Sequence, residues 1–215
     1  MSKLILFQGD SITDCSRSRD DNNDHAGYGY AQFVKGALGA SAPGEYRFLN
    51  RGVSGNRIVD VYARIKADII NLKPDYMSLL IGINDVWHEI SHQNGVAPDK
   101  FEKIYDMLLT EIKEALPNIK IMLLGAYVLK GAATENTDEI PDRLERFKEG
   151  AKLNAAAAKR LAEKHGLVYV PLQEVFDKAC ETAEPTYWAA DGVHPTPMGH
   201  ELIKNEWLRG FEKIK

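Results

Sequence analysis

Residues 76–92 read YMSLLIGINDVWHEISH, and the fold turns on how this stretch divides. Tyr76 to Ile81 is an apolar run closed by Gly82, the length of a strand rather than of a helix. Beyond the glycine the stretch points to two incompatible chemistries. His88-Glu89-Ile90-Ser91-His92 spells H-E-x-x-H, which on a helix sets two imidazoles one turn apart beside a carboxylate, as zinc peptidases require. Gly82-Ile83-Asn84-Asp85 instead ends a strand with a side-chain amide, Asn84, suited to stabilising an oxyanion.

Working outward, similar runs recur at Lys3–Phe7, Tyr46–Asn50, Lys120–Gly125 and Leu167–Pro171. Between them, Tyr30–Leu38, Val59–Leu72, Lys100–Ala115 and Arg143–His165 carry apolar residues at three- and four-residue spacing, and a last helix is predicted from about Met198 to Ile214. The alternation predicts a single α/β domain over residues 1–215, a flavodoxin-like three-layer α/β/α sandwich around a five-stranded parallel sheet. The longest loop-like tract is Tyr127–Asp142. In open parallel sheets ligands sit at the carboxyl ends of the strands. That edge collects Gly9-Asp10-Ser11, Arg51–Asn56, Gly82–Asp85 and, past strand five, Asp191–His194.

Composition narrows the partners. With 215 residues, 44% hydrophobic and 27% charged, the chain has an ordinary globular make-up, and a formal charge of -4 gives no basic footprint for nucleic acid. The two cysteines, Cys15 and Cys180, carry neither a disulfide framework nor a zinc-finger spacing and are expected to be reduced. The apolar run Leu4–Phe7 is too short for a signal segment or a membrane span, so a cytoplasmic protein with no membrane partner is expected. A homo-oligomer is compatible with the sequence, which does not set the oligomeric state.

Ser11 follows the first strand in FQGDSITD, where its hydroxyl can project above the sheet as a nucleophile; as an isolated feature it reads equally well as a helix N-cap. The G-x-S-x-G elbow of α/β-hydrolases is absent. Asp191 and His194, three apart in DGVHP, suit a carboxylate receiving Nδ1–H while Nε2 stays free for a serine, although an isolated D-x-x-H is more often a surface turn.

Gly9-Asp10-Ser11, Gly55 within NRGVSGN, Asn84 within GIND and Asp191-x-x-His194 together resemble, in order and spacing, the four blocks of the SGNH (GDSL) hydrolases. The resemblance covers nearly the whole chain, and GDSITDCSRSR, NRGVSGNRIVDVYARI, KPDYMSLLIGINDVW and VHPTPMGH are most similar to the intracellular bacterial acetylxylan esterases of that type. It implies Ser11 as nucleophile, His194 as general base and then acid, Asp191 as its orienter, and an oxyanion hole from the Ser11 and Gly55 backbone N–H groups and the Asn84 amide. It also implies a serine esterase that acts without cofactor or metal on short acetyl esters, such as acetylated xylo-oligosaccharides. Trp87, Tyr187 and Trp188, which flank these blocks, are expected to contact the sugar, with core packing as the alternative for the tryptophans.

The rival readings are weaker. The zinc pattern runs on to Gly95 and then fails at Pro98, where a third histidine is wanted, and Gln93-Asn94-Gly95 leaves little helix to hold His88 and His92. Asp85-x-x-His88 offers a second dyad, but the family places its base in the C-terminal block, which leaves His88, Glu89 and His92 as rim or surface residues. A thioesterase or lysophospholipase would use the same triad, and a non-catalytic binding module would use none of it.

Overall fold

The computed structural model describes residues 2–20 and 25–215. Five strands, β1 (Lys3–Gly9), β2 (Tyr46–Asn50), β3 (Tyr76–Leu80), β4 (Lys120–Leu124) and β5 (Val168–Val170), form one parallel sheet in the order β2-β1-β3-β4-β5. This is the flavodoxin-like order, in which the chain reverses its direction of winding at the β1/β3 boundary and opens a crevice at the strands' carboxyl ends. The register carries Phe7 opposite Asn50 and Gly9 opposite Leu80, so the segments after β1, β2 and β3 emerge side by side.

The helices are α1 (Ser11–Asp14), α2 (Tyr30–Ser41), α3 (Ile58–Ala63), α4 (Ile65–Asp68), α5 (Ile83–His92), α6 (Pro98–Ala115), α7 (Arg143–His165), α8 (Leu172–Ala179), α9 (Pro185–Trp188) and α10 (Pro197–Phe211). Alternation along the strands sorts them into two layers. Ile5, Phe7, Leu80, Met122 and Leu124 pack with Tyr30, Val34, Phe176, Trp207 and Phe211 beneath α2, α8 and α10. Leu6, Met77, Leu79, Ile121 and Leu123 pack on the opposite face with Val61, Tyr105, Leu108, Ala158 and Leu161 of α3, α6 and α7. Among the described residues no helix is long and apolar enough to cross a membrane.

Two expectations change. The helix predicted over Val59–Leu72 is broken into α3, α4 and a 3-10 turn at Ile70–Leu72, because Arg64 and Ile69 leave helical backbone angles. The periodicity survives the breaks: Ile58, Val61, Ile65 and Ile69 are all buried. Burial held the pattern while β-branched residues lowered the helix propensity. Conversely, a ten-residue helix, α5, starts immediately after Gly82 and contains the entire zinc-like stretch. Gly82 caps it at φ 126, a backbone conformation that leaves the strand and enters the helix within one residue.

Candidate active site

The serine side is set by how β1 ends. A Cβ on Gly9 would lie 2.3 Å from the Leu80 carbonyl oxygen and 2.5 Å from Thr13 Oγ1, so only glycine lets β1 turn into α1 this tightly against β3. The cap of α1 is Asp10, whose Oδ1 accepts from the Ile12 N–H at 3.0 Å, and Ser11 is the first helical residue. The capping alternative for the serine is thereby answered: the neighbouring aspartate caps the helix, and the hydroxyl faces His194 Nε2 at 2.8 Å.

The histidine side is a tight turn before α10. Asp191 Oδ1 accepts from the backbone N–H groups of Val193, at 2.9 Å, and His194, at 2.7 Å, while Oδ2 lies 2.6 Å from His194 Nδ1. Burial pushes the Asp191 carboxyl upward, but the bonds from His194 and the two backbone donors outweigh it and hold the pKa at about 2. An ionised carboxylate requires the proton on Nδ1, so Nε2 presents its lone pair to the Ser11 hydroxyl. The Asp191 hydrogen bond raises the His194 pKa above its ordinary 6.5, against the opposing effect of burial.

The loop after β2 is tied to both neighbours. Val53 N–H donates to the Gly9 carbonyl at 3.0 Å and Ser54 N–H to Asp14 Oδ2 at 3.0 Å, which anchors it to the serine turn. On its other side Asn84 Nδ2 donates to the Asn56 carbonyl at 3.2 Å, and Asp85 accepts the Ile58 N–H with both oxygens. Gly55 stands between these ties at φ 79, and a Cβ there would meet nothing within 4 Å. The glycine therefore answers the backbone angle, and its side lies open for a ligand to approach.

Of the three aromatic candidates, Trp87 lies beside the triad, its ring 5.9 Å from that of His194 and edge-on to Phe147. Tyr187 is 48% exposed and edge-on to Trp188. Trp188, half-buried against the core, lines a groove between α8 and α10 together with Val175 and Leu202, its indole Nε1 buried. Among the ring contacts of the described residues, Trp87 alone of these three pairs with His194.

The competing motif does fold as a helix, with its rings at a centroid separation of 6.0 Å for His88 and His92. Its other parts are engaged elsewhere. Glu89 Oε2 accepts from the Gly95 N–H at 3.0 Å and Asp85 accepts from the Ile58 N–H, and among the described residues neither carboxylate bonds His88. Among the described residues no group of three or more His, Cys, Asp or Glu is placed to hold a metal ion. The remaining C-terminal histidine, His200, accepts the Tyr30 N–H at Nδ1 and is held neutral by burial, its pKa lowered to about 4.

Two features escaped the sequence reading. Asp10 is fully buried with Oδ2 unpartnered, and burial raises its pKa to about 7; its place before Ser11 was the available signal. The second is a groove of about 760 Å³ on the far side of α5, lined by Val86, Ile90, Val96 and Ile104, with none of Ser11, Asp191 or His194 among its walls. Hydrogen-bond geometry, rather than cavity size, marks the reactive edge.

The geometry is that of a serine hydrolase, and the chain belongs to the GDSL-like lipase/acylhydrolase family, whose model matches residues 7–202. It is a carboxylic-ester hydrolase. It is 33% identical to an acetylxylan esterase from Geobacillus stearothermophilus, over 98% of this chain and 95% of that protein. A solved structure of a serine-to-alanine catalytic mutant of an acetylxylan esterase from the same organism superposes with a TM-score of 0.83 at 31% identity, covering 98% of this chain and 95% of that one. The crystal structure described as a putative GDSL-like lipase from Parabacteroides merdae gives a TM-score of 0.90 at 35% identity, covering 98% and 96%.

Proposed function

We propose that the protein is a deacetylase of small carbohydrate esters, acting through Ser11 as nucleophile, His194 as base and acid, and Asp191 as orienter. The observation that carries the mechanism is the unbroken chain Ser11 Oγ to His194 Nε2 at 2.8 Å and His194 Nδ1 to Asp191 Oδ2 at 2.6 Å. His194 takes the serine proton as the hydroxyl attacks the ester carbonyl, then returns it to the leaving sugar oxygen. The developing oxyanion is received by the backbone N–H groups of Ser11 and Gly55 and by Asn84 Nδ2, held ready by its bond to Asn56. Water then attacks the acetyl-enzyme by the same route in reverse.

The likeness to acetylxylan esterases supports acetylated xylo-oligosaccharides as substrates, and Trp87 beside His194 supports a sugar platform there, with Tyr187 as a second contact. The free thiols Cys15 and Cys180 fit a cytoplasmic setting. The test is a series of acetyl, butyryl and octanoyl esters together with acetylated xylobiose and xylotriose. A site that rewards chain length would gain about 0.8 kcal/mol per buried methylene; here kcat/KM is expected to fall along the series and the xylo-oligomers to release acetate. Faster turnover of octanoyl esters or acyl-thioesters would replace this substrate with a lipid or thioester on the same triad.

A further inference from the structure

The tract after β4 has no regular structure over residues 127–142 apart from turns, yet Tyr127, Val128, Leu129, Gly131 and Thr134 are all buried. Its donors converge on one target. Tyr127 Oη donates to the Val193 carbonyl at 2.8 Å, Leu129 N–H to the Gly192 carbonyl at 2.8 Å, and Ala133 N–H to the Asp191 carbonyl at 2.9 Å. Three consecutive carbonyls of the turn that carries Asp191 and His194 are thus gripped by a single segment. Thr134, fully buried, shapes that segment: its hydroxyl donates to the Leu129 carbonyl at 2.7 Å and accepts from the Gly131 N–H at 3.0 Å. A Cβ on Gly192 would lie 2.4 Å from Thr134 Oγ1 and 2.5 Å from the Leu129 carbonyl oxygen, and a Cβ on Gly131 2.3 Å from the Gly192 nitrogen, so neither position has room for a side chain.

We propose that residues 127–134 form a clamp that sets the position of the Asp191–His194 pair relative to Ser11, with the Tyr127 hydroxyl and Thr134 as its positioning groups. Neither touches the reacting atoms. They act by fixing the turn whose two ends are the carboxylate and the imidazole, where an error of about 1 Å costs on the order of a hundredfold in rate. Arg143 ties the clamp to α5, its Nε donating to the Ala133 carbonyl at 2.8 Å and its Nη2 to Ser91 Oγ, at 3.3 Å, in the last turn of that helix.

The proposal rests on the triad reading above, so Ser11→Ala is measured alongside Tyr127→Phe, Thr134→Val and Thr134→Ser in the full chain with an aryl acetate. Tyr127→Phe removes one oxygen and keeps the stack on Phe176 at 4.1 Å. Tyr127→Phe and Thr134→Val are expected to lower kcat by about tenfold to a hundredfold at nearly constant KM. They should also move the acid limb of kcat/KM down toward that of a free imidazole. Asp191, Asp10 and His200 are the titratable groups that bear on His194, and only the Asp191 bond is loosened. Thr134→Ser, which keeps the hydroxyl, should restore both readings. If the two variants melt at an altered temperature but keep kcat and the limb, the segment is merely structural and the clamp is refuted; should Thr134→Val not fold, Tyr127→Phe decides. Activity surviving Ser11→Ala would instead remove the triad reading.

Discussion

Replacing Asp191 by asparagine tests the site at its least forgiving point. Asp191 Oδ1 receives two backbone N–H groups, from Val193 at 2.9 Å and His194 at 2.7 Å. An NH2 placed there would oppose both donors, so the amide keeps its oxygen on that side and turns its NH2 toward His194 Nδ1. The imidazole must then accept at Nδ1 and carry its proton on Nε2, where it points at the Ser11 hydroxyl 2.8 Å away and can no longer take the serine's proton. Regaining the working tautomer means rotating the amide against the two backbone donors. Each donor left unsatisfied costs about 1–3 kcal/mol, roughly 2–6 kcal/mol in all. At about 1.4 kcal/mol per decade the middle of that range is close to a thousandfold in kcat, and loss of the negative charge beside the developing imidazolium carries it toward ten-thousandfold. The assay is aryl acetate hydrolysis from pH 5 to 9. In the native protein the acid limb should lie above the ordinary imidazole value of about 6.5, because the Asp191 bond raises the His194 pKa and the base works only when deprotonated. A folded Asp191→Asn protein that retains a tenth or more of native kcat would refute the reasoning.

Three further outcomes follow from particular contacts. Asn84→Ala removes an amide held by the Asn56 carbonyl and should lower kcat about a hundredfold or more with little change in KM; a change confined to KM would show that the amide binds the ground state. His88→Ala should leave most of the activity, since burial and Arg57 lower that ring's pKa and its partner carboxylate, Asp85, is taken by Ile58; a loss equal to that of His194→Ala without unfolding would reassign the base. Asp85 is buried and its pKa is raised by that burial to about 7, so its proton favours the folded state fully below the unfolded value of about 4 and the benefit is lost as pH rises through 7. Asp85→Asn should therefore flatten the fall in melting temperature between pH 5 and 8, and parallel profiles for the two proteins would count against the assignment.

The three central strands were legible because burial on both faces writes itself as short apolar runs, the edge strands β2 and β5 because they keep such runs while only half-buried, and the five predicted spans match the five observed within two residues. Arg143–His165 was legible at both ends, its stop written by Gly166 at φ 67. The helix α5 was not. Its first turn holds Asn84 and Asp85, poor helix formers whose side chains bond across to Asn56 and Ile58, and the contacts that favour the helix come from α7 and the loop after β2. A decision that depends on partners distant in sequence leaves no local mark.

The same distinction bears on the H-E-x-x-H pattern at residues 88–92. H-E-x-x-H is a statement about one helix, and the helix exists, with His88 and His92 on one side. A metal site also needs a third ligand delivered by the fold, and here the fold delivers to α5 something else: its Trp87 face meets His194 and its first turn meets the Gly55 loop. The meeting of Ser11, His194 and Asp191 has the complementary explanation. Three of the four blocks follow β1, β2 and β3, so the topology that makes the sheet brings them to one edge, and the fourth returns to that edge past α8 and α9, where His194 meets Ser11. What holds the Asp191 block in place, the grip of residues 127–134, joins three backbone carbonyls to two backbone N–H donors and the Tyr127 hydroxyl. Backbone donors and carbonyls are present at nearly every residue, and only the folded chain shows which of them meet.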